Sequence, residues 1–257
     1  MILVENLTKD YDGLRAVDGL SFSLEAGEIL GLVGPNGAGK TSTLRCLVGI
    51  LPATAGRIVL DGHDIAREPV PAKRIAAFIP DEPRLFDYLT VEEHLRFVAR
   101  LYGVDDVAAR AGRLLGELEL AGRERSLPAE LSRGMKQKLA IACGLLHDPR
   151  VLLFDEPLTG LDPMGIRRMK ATIRARAEAG AAVIVSSHLL SLVEEICTRV
   201  LILVDGTKRL DGTLGELAAR FPDLAAGARL EDVFLRATVR EPGDGDPGDP
   251  PAPGGSE

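Results

Sequence analysis

Residues 34 to 41 read Gly34-Pro35-Asn36-Gly37-Ala38-Gly39-Lys40-Thr41, a complete G-x-x-x-x-G-K-T loop that follows the apolar run Ile29–Val33 and opens an apolar-periodic segment. The pattern calls for a parallel strand delivering the chain to a glycine-rich turn. With no side chain at Gly34, Gly37 or Gly39, backbone N–H groups converge on phosphate oxygens. A helix starting near Lys40 adds its positive N-terminal end, Lys40 reaches terminal phosphates, and Thr41 offers a hydroxyl to Mg²⁺. Ser42 continues the same nucleotide-binding run. A chain of this kind handles a nucleoside triphosphate.

Composition sets limits around that reading. At 257 residues and 46% apolar, the chain is long enough for one large domain or a core with a subdomain. The formal net charge is −7, but five acidic residues and no basic one fall in residues 241–257, where ten of seventeen residues are Gly or Pro. Such a segment is expected to be a disordered tail, because it cannot bury enough apolar surface to offset its ordering entropy. The remainder is close to neutral and shows no basic stripe, so no direct nucleic-acid partner is expected. Cys46, Cys143 and Cys197 match no metal or disulfide spacing and read as buried thiols. The first residues lack the basic-then-apolar pattern of a secretory leader, and no apolar run is long enough to cross a bilayer.

Along the chain, short strands are expected at 2–7, 20–24, 29–33 and 57–60, with a helix from 40 to about 51. Another apolar stretch, 75–79, stops at Pro80. Helical spacing recurs at 91–102 and 108–120. Helices at 136–146, 167–179 and 189–196 then alternate with apolar strands at 151–154 and 181–185. Strands apolar on both faces are expected where helices cover both sides of a parallel sheet. Short strands at 200–204 and 208–211 surround Gly206, and a C-terminal helical segment follows.

The run Val151-Leu152-Leu153-Phe154 feeds two adjacent carboxylates, Asp155 and Glu156. Acid groups at the C-terminal end of such a strand lie in the crevice where α/β sheets bind ligands. Asp155 is the metal-side candidate, and Glu156 the group that orients or deprotonates the water attacking a terminal phosphate. His188 follows another apolar strand and is a candidate to contact that phosphate or hold that water.

With these elements in order, residues 1 to about 238 resemble the nucleotide-binding subunit of the ATP-binding-cassette (ABC) transporters. Leu131-Ser132-Arg133-Gly134-Met135-Lys136-Gln137 is similar to that family's signature segment, usually L-S-G-G-Q. The resemblance implies that Ser132, Arg133, Gly134 and nearby backbone groups meet the terminal phosphate of ATP held by another subunit. It also implies that Tyr11 stacks on adenine, that Gly160-Leu161-Asp162-Pro163 crosses a dimer interface, and that His188 is a switch histidine. The implied fold is an α/β P-loop NTPase core with a mainly parallel sheet, an N-terminal antiparallel β-subdomain and an inserted helical subdomain at about 85–144. These would form one domain over 1–239, with a C-terminal helical segment at about 214–238 and the tail at 240–257.

Two departures stand out. Arg133 and Met135 replace a glycine and a glutamine of the usual signature, as in exporter-type members reading L-S-x-G-M-K-Q. Asp81 stands where the family has a glutamine that helps coordinate Mg²⁺; an acid also supplies oxygen ligands, or it simply starts the turn before Pro83. The stretch 78–103, with 230–235, resembles ATPase subunits of bacterial ABC-2 type export systems. The expectation is therefore an ATP- and Mg²⁺-dependent ATPase, peripheral on the cytoplasmic face of the cell membrane. Its expected partners are an integral-membrane transporter subunit and a second copy or a related ATPase. The alternatives are a soluble mechanical ATPase acting on DNA or the ribosome, whose coiled insertion or paired cassettes are missing here, and a GTP switch, whose N-K-x-D segment is absent.

Overall fold

The computed structural model describes residues 1–221, 224 and 228–238. The expected tail at 240–257 lies outside them. Strands β1 (Ile2–Tyr11) and β2 (Leu14–Leu24) pair as an antiparallel hairpin, longer than the apolar runs suggest. Asp12 and Gly13, at φ 36° and 92°, form the two-residue turn. Positive φ at both positions matches the right-handed twist of the flanking strands, so pairing extends through polar residues down to Tyr11.

Strand β3 (Ile29–Val33) leads into α1 (Lys40–Leu47). That helix stops before the expected residue 51, because Gly49 turns left-handed at φ 64° and the Ile50 and Leu51 amides return to the Arg45 carbonyl. Next come β4 (Ala55–Leu60), β5 (His63–Asp64), α2 (Pro69–Arg74) and β6 (Ala76–Ile79). Neither β5 nor α2 has a signature in the sequence: β5 is two residues long, and α2 buries only Ala72.

Helices α3 (Val91–Tyr102), α4 (Val107–Glu117) and α5 (Arg133–Leu145) follow. Thr90 and Glu93 close a reciprocal capping box on α3, and Gly103 at φ 68° ends it. Because Ser132 caps α5 by accepting the Met135 N–H, that helix begins three residues before the periodic pattern does.

The chain completes the sheet with β7 (Val151–Asp155), α6 (Pro163–Glu178), β8 (Ala182–Ser186), α7 (Leu190–Ile196), β9 (Arg199–Val204) and β10 (Thr207–Gly212). It continues through α8 (Leu214–Ala218) and α9 (Leu230–Thr238). An Asp162 cap and Pro163 in the first turn start α6 four residues earlier than the apolar spacing indicates.

Two sheets result. One, ordered β2-β1-β4-β5, is antiparallel; the other, β10-β9-β3-β8-β7-β6, is parallel except at β10. Strands β7 and β8 feed alternate residues to opposite faces. Leu152, Phe154, Val183 and Val185 join the core beneath α3–α6, while Val151, Leu153, Ala182 and Ile184 join the core beneath α1 and the antiparallel sheet. Burial on both faces explains why these strands read as unbroken apolar runs. Strand β8 lies between β3 and β7, and its Ser186 pairs in register with Leu32 on one side and Asp155 on the other. The phosphate loop and the carboxylate pair therefore leave the same edge of the sheet, one strand apart.

Gly31, midway along β3, lies directly beneath Val193 of α7. A Cβ added there would stand 2.2 Å from Val193 Cγ1 and 3.1 Å from Cys197 Sγ. Gly31→Ala should therefore lower unfolding free energy in urea by about 1–3 kcal/mol. Adding Val193→Ala should recover part of that loss. Strictly additive losses in the double variant would rule out this contact as the cause.

Candidate functional site

The loop between β3 and α1 is shaped by what its glycines avoid. A Cβ at Gly34 would stand 2.4 Å from the Leu203 carbonyl oxygen, and one at Gly39, at φ 95°, 2.3 Å from the Ala16 carbonyl oxygen. Gly37 is required instead by its φ of 82°. Pro35, Asn36 and Ala38 complete the turn, with the Ala38 N–H donating to the Pro35 carbonyl at 3.2 Å. No side chain caps α1. Its first-turn N–H groups are thus without a side-chain acceptor and suited to an anion.

Lys40 folds back on the loop, donating from Nζ to the Gly34 and Pro35 carbonyls at 2.7 and 3.0 Å. Burial pulls its ammonium below the ordinary lysine value, opposed by the nearby charges of Glu156 and Asp155. A desolvated cation resting on backbone carbonyls beside an uncapped helix start is matched by a polyphosphate, whose charge would restore the ammonium.

Across the sheet edge, Asp155 Oδ1 accepts from Ser186 Oγ at 2.6 Å and Thr41 Oγ1 at 3.3 Å. Asp81 lines the same cavity as Thr41 and Asp155, and its Oδ1 is buried without a hydrogen-bond partner among the described residues. Those residues contain no group of three or more His, Cys, Asp or Glu side chains able to hold a metal. One or two carboxylates and a hydroxyl fit Mg²⁺, which takes few protein ligands and keeps water and substrate phosphate as the others.

Glu156 sits at φ 48°, a left-handed conformation that costs a non-glycine residue free energy. It is held there by its own N–H on the Ser186 carbonyl at 3.1 Å, and its carboxylate is held from above. The His188 N–H donates to Oε1 at 2.9 Å, and His188 Nδ1 lies 2.8 Å from Oε2. The sequence points His188 at phosphate or water; here it grips Glu156. Such a carboxylate, fixed and only 19% exposed, can accept a proton from a neighbouring water.

Tyr11, at the end of β1, is tied to α1 through its hydroxyl, which donates to Ser42 Oγ at 3.3 Å. One ring face carries the Lys9 ammonium, 4.9 Å from the centroid. Ser132, Arg133 and Gly134 lie apart from this loop, at the start of α5 and against residue 160: a Cβ on Gly134 would stand 2.8 Å from the Gly160 carbonyl oxygen. Asp162 accepts the Gly165 N–H at 2.6 Å as the cap of α6. Burial pushes the Cys143 and Cys197 thiols up to about 12, which leaves them unreactive.

Ser186 escapes a reading of the sequence. It is fully buried and holds both acids, bonding Asp155 and accepting the Glu156 N–H on Oγ at 3.3 Å. The available signal is a serine closing the otherwise apolar strand AVIVS. Beyond the acids, the cavity of about 800 Å³ runs from Thr41 and Asp155 to Phe86, Phe97 and Leu101, all three of which are exposed. Tyr88 stands clear of its lining at 91% exposure.

The sequence profile described as ABC transporter matches residues 17–159. The chain is 36% identical over 245 residues to the ABC-type transporter ATP-binding protein EcsA of Bacillus subtilis (strain 168), covering 95% of this chain and 98% of that protein. It is 38% identical over 208 residues to the SkfA peptide export ATP-binding protein SkfE of the same organism, covering 80% and 86%. A solved structure of an ATP-binding subunit of an ABC transporter superposes with a TM-score of 0.87 at 34% identity, over 92% of this chain and 99% of the other.

Ser186→Ala deletes a 2.6 Å hydrogen bond to a carboxylate. Hydrogen bonds to charged groups contribute about 1.5–3 kcal/mol. If that energy serves to hold Asp155, Mg²⁺-dependent nucleotide turnover should fall by roughly tenfold or more in a phosphate-release assay. Parental turnover in a variant destabilised in urea would assign the bond to folding alone.

Proposed function

The chain belongs to the ABC transporter family as an ATP-hydrolysing subunit that couples hydrolysis to transport through a membrane protein, and from that premise we propose that it drives an ABC-2 type bacterial export system. The observation that carries the site assignment is the convergence of the Lys40 loop and the Asp155–Glu156 pair at one sheet edge, bridged by Ser186. Among the described residues no helix is long and apolar enough to cross a membrane, and the proposed place is the cytoplasmic face of the cell membrane, with the membrane subunit as a separate chain.

In this reading, residues 34–42 cradle the phosphates of ATP, and Tyr11 presents the ring face away from Lys9 to adenine. Thr41, Asp155 and Asp81 would hold Mg²⁺, which when bound supplies positive charge against the phosphate oxygens. Glu156 Oε2 accepts the proton of the attacking water, and His188 Nδ1 holds that oxygen in place. Orientation and neutralisation of charge account for most of the catalysis in phosphoryl transfer, and both are built into the loop before reaction.

Ser132, Arg133, Gly134 and Asp162 are assigned to the second subunit's nucleotide, a second copy or a related ATPase closing over it. Support comes from two exposed apolar side chains, Met164, two residues after Asp162, at 54% exposure and Leu189, next to His188, at 41%. For the membrane partner, the support is the groove end of the cavity. Phe86, Phe97 and Leu101 offer apolar contact there, and α3, which carries Phe97 and Leu101, also carries the ion pair Glu92 and Arg96, 2.6 Å apart. A short helix of the membrane subunit fits this chemistry.

Glu156→Gln keeps the shape of the side chain but not its basicity, so the variant should bind ATP and accumulate as a closed dimer on light scattering, with hydrolysis lowered by about 10²–10⁴-fold. A strictly monomeric species with ATP at high protein concentration counts against the assignment. Phe86→Asp places a charge in the groove. Gentle detergent extraction should then recover this chain with several-fold less membrane subunit while ATP affinity is retained, and full recovery would remove the groove from the interface.

A further inference from the structure

The irregular segment 80–90 joins β6 to α3 and runs the length of the cavity, with Asp81 and Phe86 both in its lining. Two side chains from two helices pin it. Gln137 of α5, only 1% exposed, donates from Nε2 to the Pro80 carbonyl at 3.3 Å. His94 of α3, only 4% exposed, accepts the Phe86 N–H on Nε2 at 2.9 Å, and its Nδ1 lies 2.8 Å from the Thr90 carbonyl oxygen.

These two contacts define the state of His94. A carbonyl at Nδ1 calls for a proton on that nitrogen, and an amide N–H pointing at Nε2 requires that nitrogen to be bare. The neutral imidazole protonated on Nδ1 satisfies both. Its ring also meets the Phe86 ring at 5.9 Å, and Phe86 packs edge-on to Phe97 at 5.3 Å. The Phe86 backbone is thus fastened to a buried side chain while the residue remains 55% exposed. With Phe97 and Leu101, also exposed and lining the cavity, Phe86 makes a clustered apolar patch of the kind that marks an interaction surface.

We infer that His94 is a positioning residue for the groove: its neutral imidazole fixes the backbone at Phe86, holding that ring at a set reach from Asp81 so that it is ordered before the membrane subunit docks. The inference rests on the groove being the seat of that subunit. Preorganisation of this kind strengthens association by removing the cost of ordering the segment during binding. The alternative role, a histidine that merely finishes the first turn of α3, uses only the Thr90 contact.

Two substitutions separate these roles. In His94→Gln the side-chain amide reaches as far as Nε2 and offers an oxygen to the Phe86 N–H. In His94→Asn it is one carbon shorter, able to serve Thr90 but not Phe86. Amide exchange resolved at Phe86 in the full chain should stay slow in the parent and His94→Gln, and quicken by about tenfold or more in His94→Asn. Recovery of the membrane subunit on detergent extraction should fall several-fold in His94→Asn alone, with ATP affinity unchanged in both variants. Equal behaviour of the two variants in exchange or in recovery overturns the inference. Phe86→Asp, run alongside, reads the groove separately: if it leaves recovery intact the groove reading fails, whereas a loss there with the two His94 variants alike overturns only the role of His94.

Discussion

Everything at the site depends on one register. Leu32, Ser186 and Asp155 stand side by side on β3, β8 and β7, so the turn that follows β3 and the acids that end β7 emerge from the sheet together. A one-residue slip of β8 would turn its side chains over and send Ser186 to the opposite face. Apolar burial on both sides of the sheet forbids such a slip only weakly, since either face of β8 is apolar. What distinguishes the observed register is polar: Ser186 Oγ finds Asp155 and the Glu156 N–H, and the Ser187 N–H reaches the Leu32 carbonyl at 3.4 Å. A buried hydroxyl with partners on β7 makes one register better satisfied than its neighbours.

This division explains what could be read in advance. The phosphate loop, the Asp155–Glu156 pair and the helical periodicity of 91–102 are local patterns, set by glycine conformation, strand ends and a 3.6-residue repeat. The sheet order is not local. Strands β3, β7 and β8 are interchangeable as apolar runs, and nothing in their composition says that β8 lies in the middle. Helix starts differ from the apolar pattern for a related reason: apolar spacing marks where a helix touches the core, whereas Ser132 and Asp162 mark where its backbone begins. The contacts of His94 and Gln137 are not legible in the sequence, because the amide and carbonyl they serve lie in the segment between β6 and α3.

That segment gives the cavity a mechanical character. It starts at the end of β6, held by Gln137 from the helix that Ser132 caps, and it reaches the groove held by His94. A displacement of α5 therefore bears on Pro80 through that hydrogen bond as well as through the packing of α5 on β6, where a Cβ at Gly144 would stand 3.0 Å from Ile79 Cδ1. Side chains that pin irregular backbone at both ends convert a loop into a strut, and a strut transmits a shift that a free loop would absorb. The proposed coupling between nucleotide state and membrane subunit asks for such a connection between the two ends of one cavity.

Satisfaction of polar groups is uneven across the fold, and the unevenness is informative. Thr90 with Glu93 and Thr213 with Glu216 cap their helices reciprocally, and Arg199 makes a two-pronged pair with Asp211, whereas α2, α4 and α7 start without a side-chain cap and Glu119 and Asp148 are left-handed, so neither feature marks a site by itself. At the site several such departures coincide. Helix α1 begins without a side-chain cap, Lys40 is desolvated onto backbone carbonyls, Glu156 holds a left-handed conformation, and Asp81 Oδ1 is buried without a partner among the described residues. Donors and acceptors left short together at one sheet edge suit a ligand that completes the structure there. Here the shortfalls have complementary signs: N–H groups and an ammonium on one side suit a polyanion, and carboxylate oxygens on the other suit a divalent cation. A magnesium-bound nucleoside triphosphate carries both charges in one ligand, which is why a single binding event can satisfy the loop and the acids together.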